Sequence, residues 1–317
     1  MFVAFFAAAF VVALPVTAQE YPAKPVRIII GFPPGGATDL VARLMAPKYA
    51  GLLKQQFIVD NRPGATGVIG SDLAARAAPD GYSIHLATLA TLVLIPATSK
   101  VPYDPLRDFA PISQAVALQN IFIVHPTLPA RTLKELISLA KARPGKLNFA
   151  SAGIASTGHL AGELFKSMAN VDLVHVPYKG GGPAIVDLVA GHVEIFVAII
   201  STAAPQVRAG KARALAVTGL RRAAAFPDIP TVAETGLKGY EATNWYGYVA
   251  PAATPRPIIE RLHKATVTVL DMADVGQALL DQGIETAPSS PEQFAAYIKS
   301  ETGKWTKIIT AAKIKLE

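Results

Sequence analysis

Short apolar runs alternate along this chain with longer stretches in which apolar positions recur at three- and four-residue spacing. That pattern predicts an α/β fold with mostly parallel strands. Ile28-Ile29-Ile30 reads as a buried strand that empties into Phe32-Pro33-Pro34-Gly35-Gly36. A helical pattern follows from Thr38-Asp39, with Leu40, Val41, Leu44 and Met45 on one face and Pro47 expected to kink or stop it. Phe57-Ile58-Val59 predicts the next strand. Asn61 to Gly67 is a second Gly-rich turn, opening a helix with Ile69, Leu73 and Ala77 on one face. Tyr82 to Ala87 is again a strand, and Pro102-Tyr103-Asp104-Pro105 marks a surface loop.

The alternation continues. Asn120 to His125 is an apolar strand, and Thr132-Leu133-Lys134-Glu135 a capping box before an amphipathic helix. The strand Leu147 to Ala150 runs into a third turn, Ser151 to His159, then a helix with Leu160, Leu164, Phe165 and Met168 expected buried. The strand Val171 to Val176 leads to the fourth, Pro177-Tyr178-Lys179-Gly180-Gly181-Gly182-Pro183, with Pro183 expected as the first helical residue. Val193 to Ile200, Ala212 to Thr218 and the aromatic-rich Asn244 to Val249 complete the strands. Thr231 to Glu234 reads as a second capping box. Helices are predicted over 257–270, 275–282 and 290–312.

The chain has 317 residues, enough for two domains of ordinary size or one large one, and with 51% hydrophobic and 17% charged residues it can fill a substantial core. Phe2 to Leu14 is nearly all Phe, Val, Ala and Leu, and Val16-Thr17-Ala18 resembles a signal-peptidase site. Residues 1–18 are therefore expected to be a signal peptide, with the mature chain starting at Gln19. The positively charged segment that usually precedes such a run is missing, which fits a start codon assigned too late better than the alternative, a weak signal. The absence of cysteine excludes disulfides, thiolate metal sites and a cysteine nucleophile. The net charge of +7 is spread over scattered Lys and Arg, not the basic stripe of a nucleic-acid binder.

Each strand–turn–helix start aims unpaired backbone N–H groups and a helix dipole at one point, where a carboxylate or phosphate can sit. One such loop is weak evidence, since parallel sheets need them for packing. Four, with Asp39 expected only as a helix cap, describe a cleft lined by donors and small hydroxyls. If the strands at Asn120 and Asn244 cross between two domains, each domain contributes two turns. An enzyme is the competing class. A Gly-x-Ser-x-Gly hydrolase elbow fails at Ser156, where Ile154 replaces the first glycine, and no His-Glu-x-x-His zinc motif occurs. His159 reads more readily as a capping or packing residue, and Trp245 and Tyr246 as core and pocket in equal measure. No catalytic residue, metal or cofactor is expected.

The ordered set Tyr21 to Arg27, Pro34-Gly35-Gly36-Ala37-Thr38-Asp39, Asn61-Arg62-Pro63-Gly64-Ala65, Pro79-Asp80-Gly81-Tyr82, Gly158-His159, Val176 to Gly180, Arg213 to Val217 and Trp245-Tyr246-Gly247 resembles the Bug family of periplasmic solute-binding proteins. These serve, or descend from, tripartite tricarboxylate transporters. The resemblance implies a type II periplasmic-binding-protein fold: two α/β domains joined by two crossing strands around a hinged ligand cleft. The expected organisation is 19–122 and 247–317 in domain 1 and 123–246 in domain 2. Carried over by position, Phe32, Gly36, Ala37, Asp39, Ala65, Thr66 and Gly67 grip a carboxylate from one side. Ser151, Ser156, Thr157, Tyr178, Lys179 and Gly180 close over the other, and Thr88 and Ala198 belong to the walls. The implied partners are a small carboxylate and the membrane components of a tripartite transporter, or alternatively a signalling system. The protein is expected to be periplasmic and monomeric. Two departures, Leu89 to Ile95 and Val197-Ala198, make the cleft more apolar than usual and favour a ligand with an uncharged tail.

Overall fold

The computed structural model describes residues 21–311; the expected signal segment lies outside them. The first part comprises β1 (Val26–Ile30), α1 (Ala37–Leu53), β2 (Phe57–Asn61), α2 (Val68–Ala75) and β3 (Ser83–Thr88). A buried helical segment follows, π-helical over Ala90–Leu94 and continuing into α3 (Ile95–Thr98). The long β4 (Phe109–Val124) leads to α4 (Leu133–Ala142), β5 (Asn148–Ser151), α5 (Thr157–Ala169), β6 (Val174–Pro177), α6 (Gly181–Ala190), β7 (Ile195–Ile199), α7 (Ile200–Arg208) and β8 (Arg213–Val217). The chain closes with β9 (Thr243–Pro251), α8 (Arg256–Leu270), α9 (Ala273–Asp281), β10 (Ile284–Thr286) and α10 (Pro291–Ala311).

The strands run in the order β2-β1-β3-β9-β4-β7-β5-β6, with β8 and β10 also on β4. Two parallel groups, β2-β1-β3 and β7-β5-β6, stand at the ends, and β9 and β4 join them through antiparallel pairing, β9 on β3 and β4 on β7. Phe109 to Gln119 of β4 pair with β9, and Asn120 to Val124 pair with β7. A single strand thus spans both sheet regions and changes partner at Gln119–Asn120. The return path precedes β9, where Ala242 N–H donates to Thr218 O at 2.9 Å.

Packing explains where local expectations gave way. α1 runs through Pro47 to Leu53, because Val41, Ala42, Met45 and Tyr49 are buried against the first region and hold the turn around the proline. Ile69 and Leu73 share a face of α2, but it is the outer one: they are 54% and 37% exposed, while Gly70, Ser71 and Ala74 pack inward. The small face lets α2 approach β1 closely; a Cβ on Gly70 would stand 2.7 Å from Gly31 Cα. Met168 is likewise 37% exposed. Tyr103 lies within the expected surface loop, yet its ring is buried and its hydroxyl donates to Thr91 O at 2.6 Å. Pro183 is the third residue of α6, not the first, still in the turn whose N–H groups have no intrahelical acceptor. The capping box at Thr132 forms in full. At Thr231 both box hydrogen bonds form, to Glu234 at 2.7 and 3.1 Å, but Gly236 follows before a helix can develop. Trp245 belongs to the core, edge-on to Phe294, whereas Tyr246 reaches the cleft.

Candidate functional site

A cavity of about 410 Å³ opens where the two sheet regions meet. The N-termini of four helices reach its walls. Gly36, Ala37 and Thr38 begin α1; Ser156, Thr157 and Gly158 begin α5; Gly180 to Pro183 begin α6; Ile199 and Thr202 belong to the first turn of α7. Each leaves backbone N–H groups without intrahelical partners and carries about half a positive charge. Among the described residues the walls contain no Asp or Glu, and Lys179 is their one charged side chain. The field inside is positive from both sides, which suits an anion.

The first turn is held from behind. Asp39 is not the cap of α1; that position is Gly36, which has no side chain to offer. From the first turn of the helix, Asp39 Oδ2 accepts the Gly35 N–H at 2.9 Å, Arg43 Nε donates to both of its oxygens at 2.9 Å, and Asn61 Nδ2 donates to Oδ1 at 3.0 Å. Asn61 Nδ2 also donates to Phe32 O at 3.0 Å, tying the loop to the end of β2. Burial works to raise the Asp39 pKa, but the Arg43, Gly35 and Asn61 hydrogen bonds outweigh it and hold the carboxyl below its ordinary value. Asp39 therefore stays ionised and shapes the loop without lining the cavity.

The second turn stores strain. Gly64, Ala65, Thr66 and Gly67 all have positive φ, of 136°, 45°, 52° and 97°. A left-handed conformation costs about 1–2 kcal/mol for a residue with a Cβ. Thr66 is the member that lines the cavity. Behind the turn, Ser71 Oγ donates to Gly67 O at 3.1 Å and stands 3.0 Å from His85 Nε2, while His85 Nδ1 lies 2.9 Å from Ile29 O.

The third turn rests on two stacked imidazoles. His159 and His175 lie parallel with centroids 3.8 Å apart. His159 Nδ1 accepts the Ala155 N–H at 3.2 Å, and Ser151 Oγ is 2.7 Å from His175 Nε2. Burial, then the Lys166 charge, lowers the His159 pKa to about 4; burial, then His159 and Lys166, lowers that of His175 to about 3. Both rings are neutral at pH 7. In the fourth turn the Tyr178 hydroxyl donates to Asp187 at 2.6 Å, fixing the loop that presents Lys179 and Gly180.

Of the residues singled out from the sequence, Phe32, Gly36, Ala37, Thr66, Thr88, Ser156, Thr157, Lys179, Gly180 and Ala198 line the cavity. Asp39, Ala65, Gly67, Ser151 and Tyr178 stand behind them in the supporting loops. Of the apolar run Leu89 to Ile95, only Ala90 reaches the cavity; Leu89, Leu92, Val93 and Leu94 fill the core. One of the two supports for an apolar tail therefore falls. The other remains, since Phe196, Val197, Ala198 and Ile199 form an apolar stretch of wall. Tyr246, which the sequence leaves open between core and pocket, lines the cavity, and Asn120, Asn244 and Thr202 line it without being singled out by the sequence. Only the polar interruption of an apolar strand at Asn120 could have signalled one of them.

The family model of the tripartite tricarboxylate transporter family receptor matches residues 41–314. The protein BugT of Bordetella pertussis is 36% identical over 96% of this chain and 94% of its own. Among solved structures, the Rhodopseudomonas palustris protein Rpa4515 with adipate superposes with a TM-score of 0.88 at 33% identity, covering 93% of this chain and 99% of that one. MatC of the same organism, with bound malate, gives 0.83 at 32% identity, covering 91% and 100%. These similarities extend along nearly the whole described chain and carry the periplasmic-binding-protein fold with them. The chain belongs to the tripartite tricarboxylate transporter receptors, the Bug family of periplasmic solute-binding proteins.

Proposed function

We propose that the cleft captures a small carboxylate and hands it to the membrane components of a tripartite transporter. The observation that carries this reading is the convergence of four helix N-termini on a cavity that, among the described residues, has no acidic side chain in its walls. The ligand carboxylate rests on backbone N–H groups near Gly36 to Thr38 and on Thr66, and the α5 and α6 N-termini with Lys179 close over its other end. Positive ends on both walls accommodate a second anionic group more readily than a wholly uncharged tail. The acids seen in the two R. palustris relatives, adipate and malate, have a carboxyl group at each end. In this reading residues 123–246 form the moving lobe and residues 19–122 with 247–317 the other, closing by hinge rotation about β4 and the segment before β9. The protein works as an exported monomer, binds without turnover and needs no cofactor.

Thermal-shift and calorimetric titration with mono- and dicarboxylates test the reading. An acid at one hundred times its dissociation constant should raise stability by about 2.7 kcal/mol. The matched esters and amides should not stabilise. Esters that work as well as the acids would refute a carboxylate grip.

A further inference from the structure

We propose that Asn120 is the specificity residue of the cleft: its side-chain amide donates to an oxygen acceptor, hydroxyl or keto, carried on the carbon chain of the bound acid. The inference rests on the carboxylate reading above and adds what the middle of the ligand must look like.

Asn120 is fully buried and lies on the cavity wall. It stands where β4 leaves β9 and takes up β7: the last pair on one side is Gln119 with Thr243, the first on the other Asn120 with Ile199. Its main chain is satisfied, with the N–H donating to Thr218 Oγ1 at 3.0 Å and the carbonyl accepting from Thr218 N at 2.9 Å. Its side-chain Oδ1 accepts a long hydrogen bond from Thr157 Oγ1, at 3.4 Å. Its Nδ2 has no hydrogen-bond partner among the described residues.

A buried donor without an acceptor lowers stability, and an apolar residue of similar size would not have this defect. Strand packing does not require an amide here, since the following residues Ile121, Phe122, Ile123 and Val124 are all apolar and buried. The group is explained if the acceptor arrives with the ligand. Which part of the ligand supplies it follows from position. The carboxylate ends have their own donors at the helix N-termini, on α1 from one sheet region and on α5 and α6 from the other. Asn120 lies on the strand that crosses between those regions, facing the stretch of ligand between its ends. An amide N–H there selects for an oxygen lone pair and gains nothing from a methylene.

Matched pairs of acids test this: malate against succinate, and 2-oxoglutarate against glutarate, titrated by calorimetry into the full-length mature protein and into Asn120→Leu. The wild type should prefer the oxygen-bearing member of at least one pair by about tenfold, the size of one well-made buried hydrogen bond. In Asn120→Leu that ratio should fall to about one through loss of the oxygen-bearing acid. The ligand-free variant should melt no lower than wild type, because a structural amide would lower the melting temperature and this one should not. Asn120→Val, β-branched and suited to a strand, repeats the test if Leu overpacks the site. Acids that bind the wild type without preference within a pair would overturn the inference and leave the carboxylate reading standing. So would a preference that survives both substitutions, or an equal weakening of both members with a lowered melting temperature. If no acid binds the wild type, the carboxylate reading fails and this inference fails with it.

Discussion

Acidification should destabilise this protein through histidines that underlie two of the turns at its cleft. His85, beneath the second turn, is 1% exposed, and burial lowers its pKa to about 4 despite the hydrogen bond to Ile29 O. His159, beneath the third, is 4% exposed and also titrates near 4, again because of burial first and then the Lys166 charge. Unfolding returns each ring to an ordinary pKa of about 6.5. Because the folded values are depressed, the unfolded state binds more protons between pH 6.5 and 4. The stabilisation is complete above about pH 6.5 and is lost as the pH falls towards 4. Linkage places the loss at about 2 kcal/mol for each of the two rings on going from pH 7 to pH 5. His175 acts in the same direction, because burial first, and then the His159 and Lys166 charges, lower its pKa to about 3. For a domain of this size 1 kcal/mol corresponds to about 2–4 °C, so the melting temperature should fall by about 8 °C or more between pH 7 and 5. Calorimetry in buffers of matched ionic strength measures this, stopping at pH 5 to limit carboxylate titration. His159→Gln should flatten the pH dependence by about half. A melting temperature level over this range, or a dependence unchanged in the variant, would refute the argument.

Two further substitutions separate the cleft from its scaffold. Gly36→Leu should abolish carboxylate binding with the melting temperature unchanged, because a Cβ there meets only Pro33 O at 3.8 Å and φ is −83°, while the side chain enters the anion's space. Gly67→Leu should instead destabilise the fold by about 2–5 kcal/mol, since φ is +97° and its Cβ would lie 2.7 Å from Thr91 Cγ2 and 3.1 Å from Phe32; thermal unfolding distinguishes the two. Lys179→Met should weaken binding of a dicarboxylate by about tenfold and reduce the salt dependence of its affinity, leaving stability within about 0.5 kcal/mol, because the side chain is exposed; titration at two salt concentrations measures this.

The elements that could be read from the sequence are those whose signals are local. The strand at Ile28 to Ile30, the turn at Gly35-Gly36 and the capping box at Thr132 depend on neighbouring residues alone, and they stand where the pattern places them. The errors have a common origin in contacts made far along the chain. Pro47 is tolerated because α1 is pinned by Val41, Met45 and Tyr49, the last hydrogen-bonded to Thr266 of α8 at 2.8 Å. Ile69 and Leu73 repeat at helical spacing, yet the face that packs is the small one, chosen by the close approach of Gly70 to Gly31. Leu89 to Ile95 is apolar because it is core, and only its register relative to β3 and β9 decides that Ala90 alone meets the cavity.

The candidate site divides along the same line. Turn residues such as Gly36, Thr66, Ser156 and Gly180 are legible as cavity lining because four Gly-rich or hydroxyl-bearing turns before helices are more than sheet packing requires. Their supports are not, because each depends on a partner distant in sequence: Asn61 on Asp39, His175 on His159, Ser71 on His85. Asn120 is the most demanding case. An asparagine inside an apolar strand is, by sequence, an ordinary blemish. It becomes informative only once the strand is seen to change partner beneath it, the backbone is satisfied by Thr218, and its amide is still left with a donor to give.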